Sequence, residues 1–423
     1  MQNARVWQRL LGVVATVIEG MYFDDHADAL VVEVRPRKGG RRRCGRCQQR
    51  APLYDQGAGR RRWRGLDLGT IQVFLEADAP RVNCRVHGPT VVAVPWARHG
   101  AGHTRDFDAT IAWLAVHCSK TAVAELMRVA WRTVGAIITR VQADVDATVD
   151  RLAGLRRIGI DEIAYKRGHR YITVVVDHDS GDLVWAAPGK DSATLEAFFD
   201  ALGEERCAQI TDVSCDGAQW FIHVIDRRCP NARRSIDPFH VVAWAGEALD
   251  EVRRQTWNET RGGANQSGSS RKVARKLRPN SVKRARWALW KNPENLTDYQ
   301  RHQLDWIAES HPRLWRAYRL KEGLRYVFAV KGQEGIDALD RWLAWASRSQ
   351  LPPFVELARR IRRNRAGIEA ALDNRLSNGL VESTNTKIRV LTRVAYGFHG
   401  PQPLIALALL ALGNPKPALP GRH

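Results

Sequence analysis

The chain has 423 residues, with 66 Lys and Arg against 45 Asp and Glu, a formal net charge of +21. A pI near 10.2 points to a polyanionic partner, nucleic acid above all. The length allows two to four domains, the 44% hydrophobic content can fill real cores, and no apolar run is long enough to span a membrane. Cysteine usage fits a reducing cytoplasm better than an oxidising compartment. The apolar opening before Gly20 lacks a convincing cleavage site and belongs to the fold, not to a signal peptide.

Ala29 to Val34 has the composition of a strand and leads into a very basic stretch that includes Arg41, Arg42, Arg43, Arg60, Arg61, Arg62 and Arg64. Within that stretch lies Cys44-Gly45-Arg46-Cys47, and beyond it Cys84-Arg85-Val86-His87-Gly88. Zinc binds four nitrogen or sulfur ligands in a tetrahedron, and each knuckle offers two. The expectation is one structural Zn²⁺ on Cys44, Cys47, Cys84 and His87, inside a domain covering residues 1–100. Buried structural cysteines beside a surface histidine are the competing reading. Cys118, Cys207, Cys215 and Cys229 have no such spacing and are expected to be core or near-core thiols.

Asp106 to Val149 is helical by period, within an expected helix-turn-helix region covering residues 101–153. Thr121 to Arg128, a short break, and Trp131 to Arg140 have the form of a helix-turn-helix, whose second helix would offer Arg132, Thr133 and Arg140 to DNA. A plain helical connector fits the same periodicity.

From Arg157 the pattern changes. Ile158-Gly159-Ile160-Asp161 starts a strand, Tyr171 to Val176 and Leu183 to Ala187 flank an Asp/Gly turn as a hairpin, and Ser192 to Leu202 is an amphipathic helix. A further apolar run, Ala208 to Val213, leads into Cys215-Asp216-Gly217. This order predicts an α/β domain with a partly parallel sheet. Parallel neighbours would bring Asp161 and Asp216 together, and two carboxylates at adjacent strand ends can hold a divalent metal. Solvated loop acids are the alternative. Asp237-Pro238-Phe239-His240 and a helix through Val252 complete a segment covering residues 154–256.

Residues 257–351 are expected to form a helical insertion. Arg261 to Ser270 has the composition of a flexible loop, and Arg271 to Arg286 carries eight basic residues and no acid. Trp287, Trp290, Trp306, Trp315, Trp342 and Trp345 are expected mainly in its core. Residues 352–412 return to the α/β domain, and residues 413–423 form a tail. Ser377 or Asn378 can cap a helix on which Glu382, Asn385 and Arg389 share a face. Leu404 to Leu412 is an apolar helix expected to pack on the core.

The Gly159-Ile160-Asp161-Glu162, Val213-to-Gly217, Asp237-to-His240 and Ser377-to-Asn385 blocks resemble the signature blocks of Asp-Asp-Glu (DDE) insertion-sequence transposases. The whole layout, over about residues 40 to 412, resembles the ISL3 family. The resemblance implies a multidomain α/β chain: an N-terminal zinc ribbon, a helix-turn-helix, and an RNase H-like catalytic domain interrupted by a helical insertion. It implies that Asp161, Asp216 and Glu382 bind Mg²⁺ or Mn²⁺ and catalyse strand cleavage and transfer, with Asp237 and His240 in an auxiliary place. The shared face would let Asn385 and Arg389 hold DNA beside that site. His87 departs from the pattern, since relatives often have Cys there. The implied partners are double-stranded DNA, as terminal inverted repeats and as target, and a second copy or more of the chain on that DNA. No membrane is involved, and a prokaryotic cytoplasm with nucleoid association is the implied location. A non-catalytic zinc-containing DNA-binding regulator and an RNase H-like structure-selective nuclease are the competing functions. A Tyr or Ser recombinase is disfavoured by the lack of its residue arrangement.

Overall fold

The computed structural model describes residues 2–40, 42–215, 219–266, 279–330, 332–373 and 379–422. The chain divides into two compact units, Met1–Arg151 with Ile388–His423, and Leu152–Lys387. No helix among the described residues is long and apolar enough to cross a membrane.

The first unit opens with α1 (Gln2–Leu10) and β1 (Thr16–Asp24), β2 (Ala29–Pro36), β3 (Leu53–Asp55), β4 (Arg60–Arg64), β5 (Gln72–Asp78), β6 (Arg81–Cys84) and β7 (Gly88–Val91). Four of these strands form a sheet in the order β1-β2-β5-β4, and three form another in the order β3-β6-β7. Val32, Val34, Trp63, Val73 and Leu75 fill the core of the larger sheet. Much of its positive charge is internally neutralised: Arg60 pairs with Glu33 and Glu76, and Arg62 with Glu76 and Asp24.

α2 (Arg105–His117), α3 (Lys120–Leu126) and α4 (Trp131–Asp146) follow. Thr104 caps α2 and Ser119 caps α3, each accepting from a backbone N–H of the first turn. The C-terminal helix Pro401–Leu412 packs against α4 and α2. Its run of leucines and alanines is therefore buried on the helical bundle of the first unit, where the sequence had suggested the core of the α/β domain.

The second unit contains β8 (Arg157–Lys166), β9 (Arg170–Asp177), β10 (Leu183–Pro188), α5 (Ser192–Leu202), α6 (Glu204–Cys207), β11 (Asp212–Cys215), α7 (Gln219–Arg228), β12 (Arg233–Ile236) and α8 (Pro238–Gln266). The strands form one sheet in the order β10-β9-β8-β11-β12. β8, β9 and β10 are antiparallel neighbours, whereas β11 runs parallel to both β8 and β12. Ile158 and Ile160 point into a core with Leu195, Phe198, Phe199, Val213 and Phe221. Side chains alternate along a strand, so Gly159 and Asp161 lie on the opposite face.

α9 (Pro279–Arg284), α10 (Arg286–Trp290), α11 (Asp298–Ser310), α12 (Pro312–Val330), α13 (Gly332–Ser347), α14 (Pro352–Arg363), α15 (Arg365–Asp373) and α16 (Gly379–Val394) complete the described elements. α8 runs on through Gln266, so Arg261 to Gln266 continue a helix and not the loop their Gly and Asn content suggested; residues 267–278 lie outside the described residues. α12 and α14 pack on α8. Trp342 is buried and donates its Nε1–H to the Leu320 carbonyl at 2.7 Å. Trp287, Trp290 and Trp345 are instead exposed, so these three depart from the expectation that the tryptophans lie mainly in the core.

Candidate metal and nucleic-acid sites

The two N-terminal knuckles converge. Cys44, Cys47, Cys84 and His87 offer ligand atoms that all lie within 4.8 Å of one another. Cys44 Sγ and Cys84 Sγ are each 3.7 Å from His87 Nδ1, and Cys47 Sγ is 3.6 Å from Cys84 Sγ. A tetrahedral zinc with ordinary Zn–S and Zn–N bonds requires ligand-to-ligand edges of about 3.5–3.8 Å, so the four atoms fit one ion. The Cys47–Cys84 separation is too long for a disulfide. Backbone N–H groups of His87 and Val86 pull the Cys84 thiol down to about 6, favouring the thiolate that zinc binds. Gly88 takes φ +63°, and a Cβ on Gly45 would lie 2.4 Å from His99 Nδ1. Cys118, expected in or near the core, is exposed at the end of α2; Cys207, Cys215 and Cys229 are buried.

In the helix-turn-helix, Arg132 is exposed and Thr133 half-buried at the start of α4, where a recognition helix reads base edges. Arg140 is placed differently from the expectation of a DNA contact. Its Nε and Nη2 each donate to the fully buried Asp108 carboxylate at 2.9 Å. Arg98 also donates to Asp108, at 3.2 Å. A buried carboxylate needs such partners, so this guanidinium serves to hold α4 on α2. Lys120 is buried with no carboxylate partner among the described residues; its Nζ lies 3.3 Å from the Trp131 ring centroid and 5.1 Å from that of Phe398. Burial pulls its pKa down to about 8.

In the α/β unit, Asp161 Oδ1 accepts from the Glu162 backbone N–H at 2.7 Å. Asp161 Oδ2 accepts from Asn385 Nδ2, also at 2.7 Å, across 224 residues of sequence. Asn385 is on α16 and is buried. Four residues before it, Val381 is buried over Gly159: a Cβ there would stand 2.4 Å from Val381 Cγ2 and 2.9 Å from His178 Nε2. Four helical residues advance about 6 Å and two strand residues about 6.7 Å, so Val381 and Asn385 match Gly159 and Asp161 in spacing. Glu382 is exposed on the first turn of the same helix, three residues before Asn385. Arg389 is exposed one turn beyond.

Asp216, Gly217, Ser377 and Asn378 lie outside the described residues. The last described pair of β8 and β11 is Gly159 opposite Ser214. His178 Nε2 and Ser214 Oγ share a hydrogen bond of 2.8 Å beneath this pair, and burial lowers the His178 pKa. Asp237 is buried just past β12; its backbone N–H donates to the Cys215 carbonyl at 3.4 Å, and its carboxylate accepts from the Phe239 N–H at 3.0 Å as the cap of α8. His240 Nε2 is 3.9 Å from Asp237 Oδ2. The upstream acids Glu369 and Asp373 are engaged elsewhere: Glu369 accepts from Arg365 at 2.6 Å, and Asp373 pairs with Arg233 of the edge strand β12 at 3.6 Å.

A hard divalent cation takes oxygen ligands, one or two of them carboxylates. The Asp161 carboxylate fits that requirement. So does Asn385 Oδ1, a buried oxygen with no hydrogen-bond partner among the described residues. Sequence reading missed the roles of Gly159, Val381, His178 and Ser214; only the Gly in the Gly-Ile-Asp-Glu block hinted at a close approach. Elsewhere in this unit, Arg253, Arg254, Trp257, Lys283, Arg284, Arg286 and Trp287 line a basic recess of about 690 Å³. Arg286 stacks over Trp290, its guanidinium carbon 4.0 Å from the ring centroid.

A five-stranded mixed sheet with an acid on its central strand, behind a helix-turn-helix and a four-ligand ribbon, is the architecture of an RNase H-like DDE transposase. Comparison with known proteins agrees in all three parts. A transposase family model matches residues 158–408, a helix-turn-helix domain of transposase family ISL3 matches residues 92–142, and a zinc-finger of transposase IS204/IS1001/IS1096/IS1165 matches residues 40–87. The chain is 61% identical to the transposase for insertion sequence element IS1557 of Mycobacterium tuberculosis (strains CDC 1551 / Oshkosh and H37Rv), over 100% of this chain and 98% of that protein. It is 28% identical to the transposase for insertion sequence element IS1001 of Bordetella parapertussis, over 80% of this chain and 81% of that protein. The chain belongs to the ISL3 family of transposases.

Proposed function

We propose that this transposase binds the terminal inverted repeats of its own insertion sequence and catalyses DNA strand cleavage and strand transfer at a divalent-metal site made by Asp161, Asp216 and Glu382. The observation that carries the reading is the hydrogen bond from Asn385 to Asp161, because it docks the helix bearing Glu382 on the strand bearing Asp161. Asp216 follows Ser214 by two residues, as Asp161 follows its partner Gly159 by two, so a continued parallel register would set these acids side by side. In such open sheets ligands bind at the carboxyl ends of parallel strands.

A divalent metal at such a site supplies Lewis-acid polarisation of the phosphodiester and activation of the attacking oxygen. The protein's part is to fix the carboxylates before DNA arrives. Asp161 is held on both oxygens, by the Glu162 N–H and the Asn385 amide. Exposure of Glu382 leaves it reachable by a phosphodiester. Asp237, at the end of the next parallel strand, anchors the start of α8 against Cys215.

DNA binding is divided between base reading and charge. Arg132 and Thr133 at the start of α4 are the candidates for base contacts. Lys283, Arg284 and Arg286 contribute phosphate neutralisation, so affinity falls steeply with salt. A structural Zn²⁺ on Cys44, Cys47, Cys84 and His87 closes the ribbon. Joining two element ends requires two active sites, and the working form is a dimer or larger assembly on DNA in a prokaryotic cytoplasm.

The test is cleavage of end-labelled DNA carrying the element's inverted repeats. The expected result is nicking at the repeat boundary that needs Mg²⁺ or Mn²⁺ and is abolished by Asp161→Asn, with binding to the repeats retained. Binding without cleavage by the wild-type protein at any metal concentration would leave the regulator reading. Equal cutting of branched DNA lacking the repeats would favour the nuclease reading.

A further inference from the structure

Asn385 invites the reading of a DNA contact, being a polar residue on the helix that carries Glu382. Its surroundings say otherwise. The side chain is 3% exposed, and its amide is spent on a carboxylate of the protein. We infer that Asn385 is a positioning residue: its amide orients Asp161 for metal and locks α16 in the place where Glu382 completes the site. This rests on the reading of Asp161 and Glu382 as metal ligands.

An ionised carboxylate is acceptor-only, and an aspartate can rotate about its Cβ–Cγ bond. Here Oδ1 is fixed by the Glu162 backbone and Oδ2 by Asn385 Nδ2, each at 2.7 Å. Rotation would break both bonds. The Asp161 carboxylate is thus held in one orientation. Asn385 also belongs to the element that supplies Glu382, so one hydrogen bond joins the two ends of the metal site across 224 residues. The amide oxygen left over is buried and has no hydrogen-bond partner among the described residues, whereas a water-exposed DNA contact would be solvated in the free protein. An orphaned acceptor beside a carboxylate is a place for a donor carried by the metal's hydration shell. Outer partners of this kind tune metal affinity by about 10–100-fold.

The experiment uses the full chain with Asn385→Ala and Asn385→Leu; the leucine keeps the buried volume if the smaller side chain loosens α16. Mn²⁺ binding to the complex with uncleaved repeat DNA is followed by the electron paramagnetic resonance of free Mn²⁺, and repeat binding by gel shift without metal. Expected are repeat binding within about threefold of wild type, Mn²⁺ affinity about tenfold weaker or worse, and cleavage that recovers in part at high Mn²⁺. Loss of repeat binding with unchanged Mn²⁺ affinity in both variants would make Asn385 a DNA contact and overturn the inference. Unchanged behaviour in both assays would overturn it too. Asp161→Asn separates the two levels. If Asp161→Asn binds Mn²⁺ and cleaves as wild type, the metal site itself is misassigned. If it loses Mn²⁺ while the Asn385 variants keep it, the site stands and only the positioning role fails.

Discussion

Val381 occupies the space that a side chain on Gly159 would need, its Cγ2 only 2.4 Å from where a Cβ would stand. This contact seats α16 on β8 and sets the distance from Asp161 to the helix that carries Asn385 and Glu382. Gly159→Ala should therefore push the helix outward, at a cost of about 1–3 kcal/mol for overpacking. Cleavage should fall at least tenfold while repeat binding survives. Val381→Ala in the same chain should restore part of the cleavage, since it removes the nearest clash and leaves the milder one with His178. No recovery in the double variant, with both proteins folded by circular dichroism, would count against the seating role.

The zinc ribbon should be metal-dependent as a fold. Purified protein is expected to hold one zinc per chain, and Cys44→Ala to lose it. Chelation should cost the ribbon its structure, because the binding energy of a structural zinc is folding energy. Metal analysis with a thiol-sensitive reporter tests this. Stoichiometric zinc in Cys44→Ala would show that the ion is held elsewhere.

Much of this was legible in the sequence, and the failures have a common physical cause. The two knuckles, the helix pair around residues 127–130, the strand that carries Asp161 and the hairpin after it are local patterns, each set by spacing within a few residues; the strand runs on past Asp161 to Lys166. Ser192–Leu202 has the helix limits that its periodicity predicts. The fourth strand was placed too early, on Ala208 to Val213, because an apolar run does not separate a buried turn from a strand; β11 begins at Asp212. Arg140 looked free because nothing within its own helix shows that Asp108 is buried beneath it. The partnership of Asn385 with Asp161 is hidden for the same reason: it is made by tertiary packing and leaves no periodic trace. The Trp-rich helices misled in another way, since tryptophan is apolar enough for a core and also stacks with exposed Arg, as Trp290 does with Arg286.

The contrast between Arg140 and Arg132 is open to measurement. Arg140→Ala should destabilise the helix-turn-helix by about 1–3 kcal/mol, because it strips a partner from the buried Asp108. Arg132→Ala should leave the melting temperature unchanged and weaken repeat binding, with a shallower salt dependence if its partner is a phosphate. Thermal melts and gel shifts across a salt series separate the two effects. A stable Arg140→Ala protein with impaired DNA binding would return Arg140 to the DNA surface.

Lys120 makes stability depend on pH in a defined direction. Its folded pKa is drawn down to about 8 by burial, below its ordinary value of 10.5. Below pH 8 both folded and unfolded chains carry the proton, and the cost of burying the cation is present in full, less what the Trp131 ring returns. Between about pH 8 and 10.5 the unfolded chain holds more protons, so this group's contribution makes stability rise with pH. Lys120→Met should stabilise the first unit at pH 7 by on the order of 1–2 kcal/mol and flatten that rise. Denaturant melts of both proteins at pH 7 and pH 9.5 give the comparison. A destabilised Lys120→Met at pH 7 would mean that the cation–π contact outweighs the burial cost.

Whether the acid on α16 acts with Asp161 is measured most directly by comparing Glu382→Gln with Glu369→Gln and Asp373→Asn in Mg²⁺-dependent cleavage of inverted-repeat DNA. Glu369 and Asp373 are already engaged by Arg365 and Arg233. Expected is cleavage lost by more than about a thousandfold in Glu382→Gln, with repeat binding retained, and near-normal cleavage in the other two; a drop of about 4 kcal/mol in transition-state stabilisation corresponds to that ratio. Near-normal cleavage by Glu382→Gln, or its loss in Glu369→Gln alone, would contradict the assignment.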